Sequence, residues 1–302
     1  MRTLHHRDGH LGWDHTRPPV AEVADGDEVE LVLADCFGGQ LTASATADDV
    51  AGLDLDRANP LTGPLRVRGA RPGDALAVEI LDVAPGPTGW TAVIPGFGLL
   101  AGQFPAPHVV VSDVHRDRVD FGGLAILPTR PFLGTIGVAP GAPGTHSVIP
   151  PRRVGGNLDC RDVGPGATLL LPVEVDGALL SAGDAHAAQG DGEVCGTAVE
   201  VAATAWLRIT VRPGAAPAAP QLSLPPRTPA PTGPRHVTTG VGWRTVAWSV
   251  SVCTRTGASV SLGRRGVAPG RHDGRMSQEP AAVSPAPSST VVQAGSWPAS
   301  SI

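Results

Sequence analysis

The sequence contains no lysine and no tyrosine, and aromatic residues make up only 4% of its 302 positions. All 23 basic residues are arginines, a bias that we attribute to the base composition of the coding sequence rather than to a binding role. In residues 1–200, acidic residues outnumber arginines 26 to 13, whereas in residues 201–302 arginines outnumber acidic residues 10 to 2. Because the first part is acidic, we expect no nucleic-acid partner.

Long apolar runs are also missing. The N-terminal segment MRTLHHRDGHLGWDHTRPP lacks the apolar core of a signal peptide, and no run of about 18 apolar residues is present to span a bilayer. The four cysteines form no CxxC pair and match no zinc-ribbon spacing. We therefore expect a cytoplasmic protein with reduced thiols and no membrane partner.

Glycine and proline are abundant, with 39 and 31 copies, and such a composition favours short strands joined by tight turns. Alternating apolar and polar residues predict strands over residues 28–34, 65–67, 75–83 and 169–175. The second and third of these are predicted to form a hairpin-like unit. We predict a mainly β fold with few helices, built from sandwich-like or jelly-roll-like sheets over residues 1–212.

The composition changes after Arg212. Residues 213–242 are rich in proline and alanine at first and cannot form a core, which predicts a linker or a long wrapping loop. Residues 243–302 contain two acidic residues, many serines and arginines, and no sustained periodicity. We interpret this last segment as a poorly specified tail that is disordered or translated in a shifted reading frame.

The window GDAHAAQGDGE, residues 183–193, has the densest concentration of chemically active side chains. Its glycines predict a loop, because glycine is costly in the interior of a helix or strand. Apolar runs flank the window on both sides, so a loop between two strands would present its three acidic residues and its histidine together. Loops fixed by a rigid scaffold often carry function.

Three further segments contain candidate site residues. The glycine-rich apolar segments around Phe97 and Phe132 have two interpretations, as packing corners of a β-structure or as walls of a small apolar pocket. Neither matches a phosphate-binding glycine motif. The turn GGNLDCR contains Asn157 and Asp159, and taken alone it indicates local hydrogen bonding to the backbone.

A series of sequence blocks resembles the acetamidase/formamidase family, amidohydrolases that cleave short aliphatic amides to a carboxylate and ammonia. The resemblance runs from residue 10 to about residue 242 and ends there. The blocks, in family order, are GWD, LTGPLRVRGARPGDALAVEILDV, IPGFGLLAGQF, PFLGTIGVAP, PPRRVGGNLDCRD, LLLPVEVDGALLSAGDAHAAQGDGEVCGTAVE and VTTGVG. The resemblance implies a mainly β fold and a small amide as the binding partner, and a homo-oligomer is compatible with it.

Amide hydrolysis needs a nucleophile, a polarised carbonyl and a proton for the leaving amine. In the interpretation that we favour, a divalent metal, zinc or calcium, is held by Asp184, His186 and Asp159, and it polarises the carbonyl or activates a bound water. In an extended segment, the spacing Asp-x-His would place the first two ligands on one side. Glu193 acts as the general base and proton carrier, and His186 and Asp191 complete the catalytic set.

We assign substrate binding to four residues: Gln189, Asn157, Phe97 and Phe132. In a competing mechanism, Cys195 is the nucleophile and forms an acyl-enzyme, activated by His186 or Glu193. A third interpretation is a catalytically inactive β-rich scaffold or binding protein that retains the pocket. Metal dependence and ammonia release from short amides distinguish these alternatives.

Overall fold

The computed structural model describes residues 1–225 and a strand at Arg235–Thr238. Helical structure in this part is confined to α1 (Ala47–Ala51) and two 3₁₀ turns at His6–Asp8 and Leu55–Arg57. The strands are β1 (Arg2–His5), β2 (Ala21–Val23), β3 (Glu28–Leu33), β4 (Leu61–Val67), β5 (Ala75–Val93), β6 (His108–Val114), β7 (Arg118–Phe121), β8 (Ala125–Pro128), β9 (Phe132–Gly137), β10 (Gly155–Asn157), β11 (Thr168–Pro172), β12 (Leu180–Ala188), β13 (Val199–Arg212), β14 (Gln221–Leu224) and β15 (Arg235–Thr238).

Hydrogen bonds join these strands into one mixed network of 15 strands within the described part of the chain, which confirms the mainly β prediction. Its main path runs in the order β10-β9-β12-β13-β5-β11-β14-β15. Three branches leave this path: β3 with β1 from β13, β4 with β2 from β12, and the meander β6-β7-β8 from β5. The centre of the network therefore consists of β12, β13 and β5.

The predicted loop over residues 183–193 is wrong for its first half, because β12 extends to Ala188. All nine residues of β12 are buried, and its small side chains allow neighbouring backbones to approach closely. A Cβ atom on Gly183 would lie 2.4 Å from the carbonyl oxygen of Pro60. Glycine is therefore needed at this position because the Pro60 backbone packs closely against β12, and it does not mark a turn. An irregular segment begins only at Gln189.

The predicted hairpin between β4 and β5 is also wrong. Strand β4 pairs with β2 and β12, whereas β5 pairs with β6, β11 and β13. Strand β5 pairs with β13 instead of β4 because β13 is longer. The β13–β5 ladder runs from Glu200↔Trp90 to Arg212↔Ala75, which is much longer than a ladder with the short β4 could be. The predicted strand at residues 28–34 is confirmed as β3, and the one at 169–175 as the shorter β11.

Three buried apolar clusters lie among the described residues, and the two largest pack the strands around the centre. The larger one contains buried residues of the central strands, including Leu133 and Ile136 of β9 and Leu207 of β13. The second surrounds the segment that follows β3, where the ring of Phe37 stacks on Trp90 with 5.6 Å between centroids. This second cluster fixes the segment after β3 against the rest of the sheet.

The C-terminal predictions lie mostly outside the described residues. Strand β14 pairs with β11, so residues 221–224 of the predicted linker belong to the sheet. The division of the chain at residue 212 stays a prediction, and residues 243–302 fall outside the part that the structure describes. Among the described residues, no helix has the length and apolar character needed to cross a membrane.

Candidate active site

Strand β12 positions the two central residues of the site, Asp184 and His186. Both are buried, with 3% and 1% exposure, and Asp184 adopts a positive φ of 54°. The Oδ1 atom of Asp184 lies 3.3 Å from Nε2 of His186. The structure therefore brings the Asp-x-His pair together within β12, although Asp184 itself has left-handed backbone geometry.

The orientation of the His186 ring is fixed on two sides. Its Nδ1 lies 2.9 Å from Oε1 of Gln189, whose Nε2 donates to the carbonyl oxygen of Asp159 at 2.9 Å. Because the Gln189 amide nitrogen is used as a donor, its oxygen faces His186, and Nδ1 must carry a proton. Phe132, opposite His186 in the β9–β12 register, makes an edge contact with the imidazole at 4.8 Å between centroids. In the neutral imidazole, Nε2 is thus left as the free acceptor.

Three carboxylates surround that Nε2 atom. They belong to Asp184 at 3.3 Å, Glu200 at 3.2 Å and Glu193 at 3.8 Å. Glu200 was not predicted from the sequence, and it lies directly opposite His186 in the register of β12 and β13. A sequence signal was present, since Glu200 is an acidic residue between two valines in a strand whose neighbouring positions are buried.

The second oxygen of Asp184 belongs to a neutral polar network. Its Oδ2 accepts hydrogen bonds from Asn59 Nδ2 at 3.2 Å and from the hydroxyl of Thr135 at 3.1 Å. Both donors also contact Oδ1 of Asn157, at 3.1 and 2.6 Å. Asn157 therefore holds the donors that fix Asp184, and its β10 strand is placed beside β9 by the pairing Asn157↔Thr135.

Burial, together with the crowding of like charges, raises the pKa values of three acidic groups in the site. Burial, followed by the charge of Asp184, raises the pKa of Asp159 to about 8; its carboxyl group is enclosed although the residue as a whole is half-buried. Burial likewise raises the pKa of Glu193 and of Glu200, and neighbouring carboxylates add to the increase. Such a group of carboxylates needs protons or a cation to be stable.

The same carboxylates act on the imidazole in the opposite direction to burial. Burial lowers the pKa of His186, but the charges of Glu200 and Asp184 and their hydrogen bonds outweigh it, and the pKa lies well above its usual value. A proton on Nε2 is therefore one way to balance the charge of the site. A metal ion on Nε2 is the other.

The donor set fits a cation. The ligand atoms of Asp159, His186 and Glu193 lie within 4.8 Å of one another, and so do those of Cys36, Asp184 and Glu200. Two buried carboxylate oxygens, Oε1 of Glu193 and Oε2 of Glu200, lie 3.8 and 3.2 Å from Nε2 of His186 and accept no hydrogen bond from any other group that the structure describes. Since a buried carboxylate oxygen without a partner is costly, each of these atoms needs a proton or a cation beside it.

Asp191 and Cys195 lie apart from this cluster. The side chain of Asp191 is 82% exposed and pairs with Arg161 at 2.7 Å. The thiol of Cys195 contacts the carbonyl oxygen and the hydroxyl of Thr197, at 3.4 and 3.5 Å. Phe97 is half-buried and packs against the second apolar cluster, next to Gly196. Their predicted roles stay predictions.

The chain matches the model of the Acetamidase/Formamidase family over residues 2–147 and 141–242. It is 29% identical over 252 residues to an acetamidase of Mycolicibacterium smegmatis, covering 62% of each chain. It is 31% identical over 250 residues to a formamidase of Methylophilus methylotrophus, covering 64% of this chain and 61% of the relative.

A solved structure has the same fold. The crystal structure of an acetamidase from Bacillus halodurans superposes with a TM-score of 0.70 at 38% identity, and the match covers 74% of each chain. The fold and the family match thus define a mainly β protein that is similar in structure to a known acetamidase. The chain belongs to the acetamidase/formamidase family, and it spans about three fifths of the length of the two curated relatives named above.

Proposed function

We propose that the protein is an amidohydrolase that converts short aliphatic amides, such as formamide and acetamide, to a carboxylate and ammonia. Membership of the family supports this proposal. The observation that carries it is the Nε2 atom of His186, which faces the carboxylates of Asp184, Glu193 and Glu200 while Nδ1 is fixed by Gln189. The proposed partner is the amide itself; a cytoplasmic location and a homo-oligomeric state stay predictions.

The proposed cofactor is one divalent cation held by Asp159, Asp184 and His186. An imidazole nitrogen together with carboxylate oxygens is typical of zinc, whereas calcium is bound by oxygen ligands alone. Of the two metals that the sequence predicts, zinc is therefore the better fit. When bound, it would polarise the amide carbonyl and stabilise the negative charge that develops on its oxygen.

Glu193 is the proposed proton carrier. Its side chain is 16% exposed, so it connects the buried cluster with solvent, and burial raises its pKa well above the usual value for a glutamate, which favours holding a proton. Oε1 takes a proton from the attacking water, and the hydroxide adds to the carbonyl carbon. The proton then passes to the amide nitrogen, the C–N bond breaks, and ammonia leaves with a carboxylate as the other product.

The remaining residues position these groups. Gln189 fixes the His186 ring, and Asn157 holds the donors to Asp184. Phe132 packs against His186, and Phe97 lies beside the segment that follows Glu193. In the proposed function these two phenylalanines bound the space for the alkyl group, which restricts the substrate to short chains.

The experiment measures ammonia release from formamide and acetamide by the full chain, loaded with zinc and again after chelation. We expect turnover only with metal, and a loss of about 10²-fold or more in Glu193→Gln. The matched control is Glu22→Gln, which removes an exposed carboxylate on β2 and should leave turnover unchanged.

Two alternatives predict different results. If Cys195 is the nucleophile, the variant Cys195→Ala has no amidase activity, and the wild-type protein remains active after its metal is removed. If the protein is a binding scaffold, the folded, metal-loaded chain releases no ammonia from any short amide. Either outcome would end the proposal of a metal-dependent amidase.

A further inference from the structure

We propose that the cleft between the two 3₁₀ turns, His6–Asp8 and Leu55–Arg57, binds a phosphate group, either the free ion or that of a small organic molecule. Its proposed ligands are the guanidinium groups of Arg17 and Arg57. The cleft has a volume of about 450 Å³ and shares no lining residue with the buried histidine–carboxylate cluster. The inference does not depend on the amidase activity, and it is tested by binding alone.

Separate stretches of the chain form this cleft. His10 follows β1, Arg17 lies before β2, and Arg57 lies shortly before β4. A pair of backbone hydrogen bonds joins the first stretch to the last: His10 N–H donates to the carbonyl oxygen of Leu61 at 2.8 Å, and Leu61 N–H donates to that of His10 at 2.8 Å. The backbone therefore holds the two arginines at one cleft.

Neither arginine has a carboxylate partner. Among the ion pairs of the described residues, none includes Arg17 or Arg57. Asp14 is the acidic residue nearest to Arg17 in sequence, but its carboxylate accepts hydrogen bonds from the hydroxyl groups of Thr16 and Thr145, at 2.7 and 2.9 Å. The residues that line the cleft in the described part of the chain include no acidic residue. Two positive charges thus line the cleft without a counter-charge.

A buried donor of Arg17 also lacks a partner. Its Nε atom is excluded from solvent, and no group that the structure describes accepts a hydrogen bond from it. A buried donor without an acceptor is costly, and an anion beside the guanidinium would supply the acceptor. Burial is the main cause of the low pKa of His10, and the charge of Arg17 adds to it, so this charge acts on the wall of the cleft.

His10 forms part of this wall and is not a proposed ligand. Its Nδ1 lies 2.8 Å from the carbonyl oxygen of Gly12, and its Nε2 lies 2.9 Å from the hydroxyl of Ser181. Because a carbonyl oxygen only accepts, Nδ1 carries the proton, and Nε2 accepts from the hydroxyl. Both ring nitrogens are therefore occupied, which leaves the two guanidinium groups and the exposed imidazole of His6 to contact an anion.

The charge of the cleft favours phosphate over carboxylate. A phosphate group carries about −1.5 to −2 charges near neutral pH, which matches two unpaired guanidinium groups, whereas a carboxylate carries a single charge. The planar guanidinium also donates two parallel hydrogen bonds to phosphate oxygens. Leu11 and Pro60 line the same cleft, so an organic substituent on the phosphate would find apolar contacts there.

The test is calorimetric titration of the full chain with inorganic phosphate, phenyl phosphate and acetate, near neutral pH and at constant ionic strength. We expect both phosphates to bind and acetate to bind roughly tenfold more weakly or less, because it carries half the charge. Tighter binding of phenyl phosphate would identify the ligand as an organic phosphate that uses the apolar wall. Tighter binding of inorganic phosphate would identify it as the free ion.

Two variants locate the bound phosphate. Arg17→Gln and Arg57→Gln should each weaken phosphate binding roughly tenfold or more, because each removes a charge-assisted hydrogen bond. The matched control is Arg116→Gln in the turn between β6 and β7. Arg116 is exposed, and within the described part of the chain it forms no ion pair, so this variant should bind phosphate as the wild type does.

Three results would overturn the phosphate site. They are no detectable binding of either phosphate, acetate binding as tight as that of phosphate, and phosphate binding that is unchanged in both variants. The last result would place the phosphate elsewhere on the protein, including the proposed metal centre. Because Arg57 is exposed, Arg57→Gln is expected to fold, and it decides the question if Arg17→Gln does not fold.

Discussion

His186 donates its Nδ1 proton to Oε1 of Gln189 at 2.9 Å, and the same amide group donates to the carbonyl oxygen of Asp159. One side chain thus fixes the tautomer of the imidazole and connects β12 to the turn that contains Asp159. The two residues are three apart, and the bond forms because Gln189 is the first residue beyond the end of β12. This relation makes Nε2, and not Nδ1, the atom available to a metal.

Replacing Gln189 by leucine tests this relation. The variant removes the acceptor that fixes the imidazole while keeping similar bulk, and we expect zinc affinity to fall about 10–100-fold, as is usual when a second-sphere partner of a metal-bound histidine is lost. The measurement is competition with a chromogenic chelator. Gln103→Leu, at an exposed position, is the control. An affinity within twofold of the wild type would mean that Gln189 does not support the metal site.

The sequence predicts the mainly β fold and much of the site, because alternation and the glycine-rich polar window are local signals. Asp184 and His186 meet as their spacing suggests. Glu200 was missed because its role depends on register: only the pairing of His186 with Glu200 across two strands brings that carboxylate to Nε2. A single acidic residue in an apolar run carries no information about which strand lies beside it.

The errors over residues 183–193 and over the β4–β5 hairpin have one cause. Gly183 was taken as a turn residue, but it is required by the close approach of Pro60 to β12. The turn between β4 and β5 was taken to close a hairpin, yet the long strand β13 pairs with β5 instead. In both cases a contact distant in sequence overrides the local preference.

Gly134 of β9 lies against both central residues of the site. An added Cβ atom would be 2.8 Å from the carbonyl oxygen and Oδ2 of Asp184 and 2.8 Å from Cε1 of His186. Backbone and a buried ring cannot move away easily, so we expect Gly134→Ala to reduce metal affinity and amide turnover at least tenfold. Calorimetric titration with zinc measures the first effect and ammonia release the second.

The control for that variant is Gly102→Ala. An added Cβ atom at Gly102 would meet no heavy atom within 4 Å. We expect wild-type affinity and turnover from it. If Gly134→Ala also binds zinc with wild-type affinity, β9 can shift to make room for the added methyl group. The positions of Asp184 and His186 would then be less constrained than the packing indicates.

Asp159 should make the metal-free protein less stable as the pH rises. Its pKa is about 8 in the folded chain, mainly because of burial and then the charge of Asp184, against an ordinary aspartate value of 3.8. The folded state therefore holds the proton more tightly, and its stabilising contribution, complete below pH 4, is lost as the pH rises towards 8. Asp159→Asn removes this dependence.

The measurement is thermal unfolding of chelator-treated protein between pH 5 and pH 9. We expect the melting temperature of Asp159→Asn to exceed that of the wild type by an amount that grows with pH. Asp162→Asn, a neighbouring carboxylate outside the cluster, should follow the wild type at every pH. Parallel curves for Asp159→Asn and the wild type would show that this carboxyl group is not a buried titrating group.

His10 should make the protein less stable as the pH falls, which is the opposite of the pH dependence expected from Asp159. It is 8% exposed, and its ring atoms lie 2.8 Å from the carbonyl oxygen of Gly12 and 2.9 Å from the hydroxyl of Ser181, which is in β12. Burial is the main cause that lowers its pKa from 6.5 to about 4; the Gly12 hydrogen bond opposes this decrease, and the charge of Arg17 adds a smaller part of it. The folded chain thus holds this histidine neutral.

Because the unfolded chain takes up the proton first, stability should fall as the pH drops from about 6.5 to about 4, by roughly 3 kcal/mol in total. His10→Asn keeps a donor to the Gly12 carbonyl but does not titrate, so its free energy of unfolding in denaturant, measured with chelator present, should fall less over this interval. His108→Asn, at an exposed position in β6, should retain the wild-type slope. If His10→Asn and the wild type lose stability in parallel, the proton is taken up elsewhere, and His10 does not make β12 sensitive to acid.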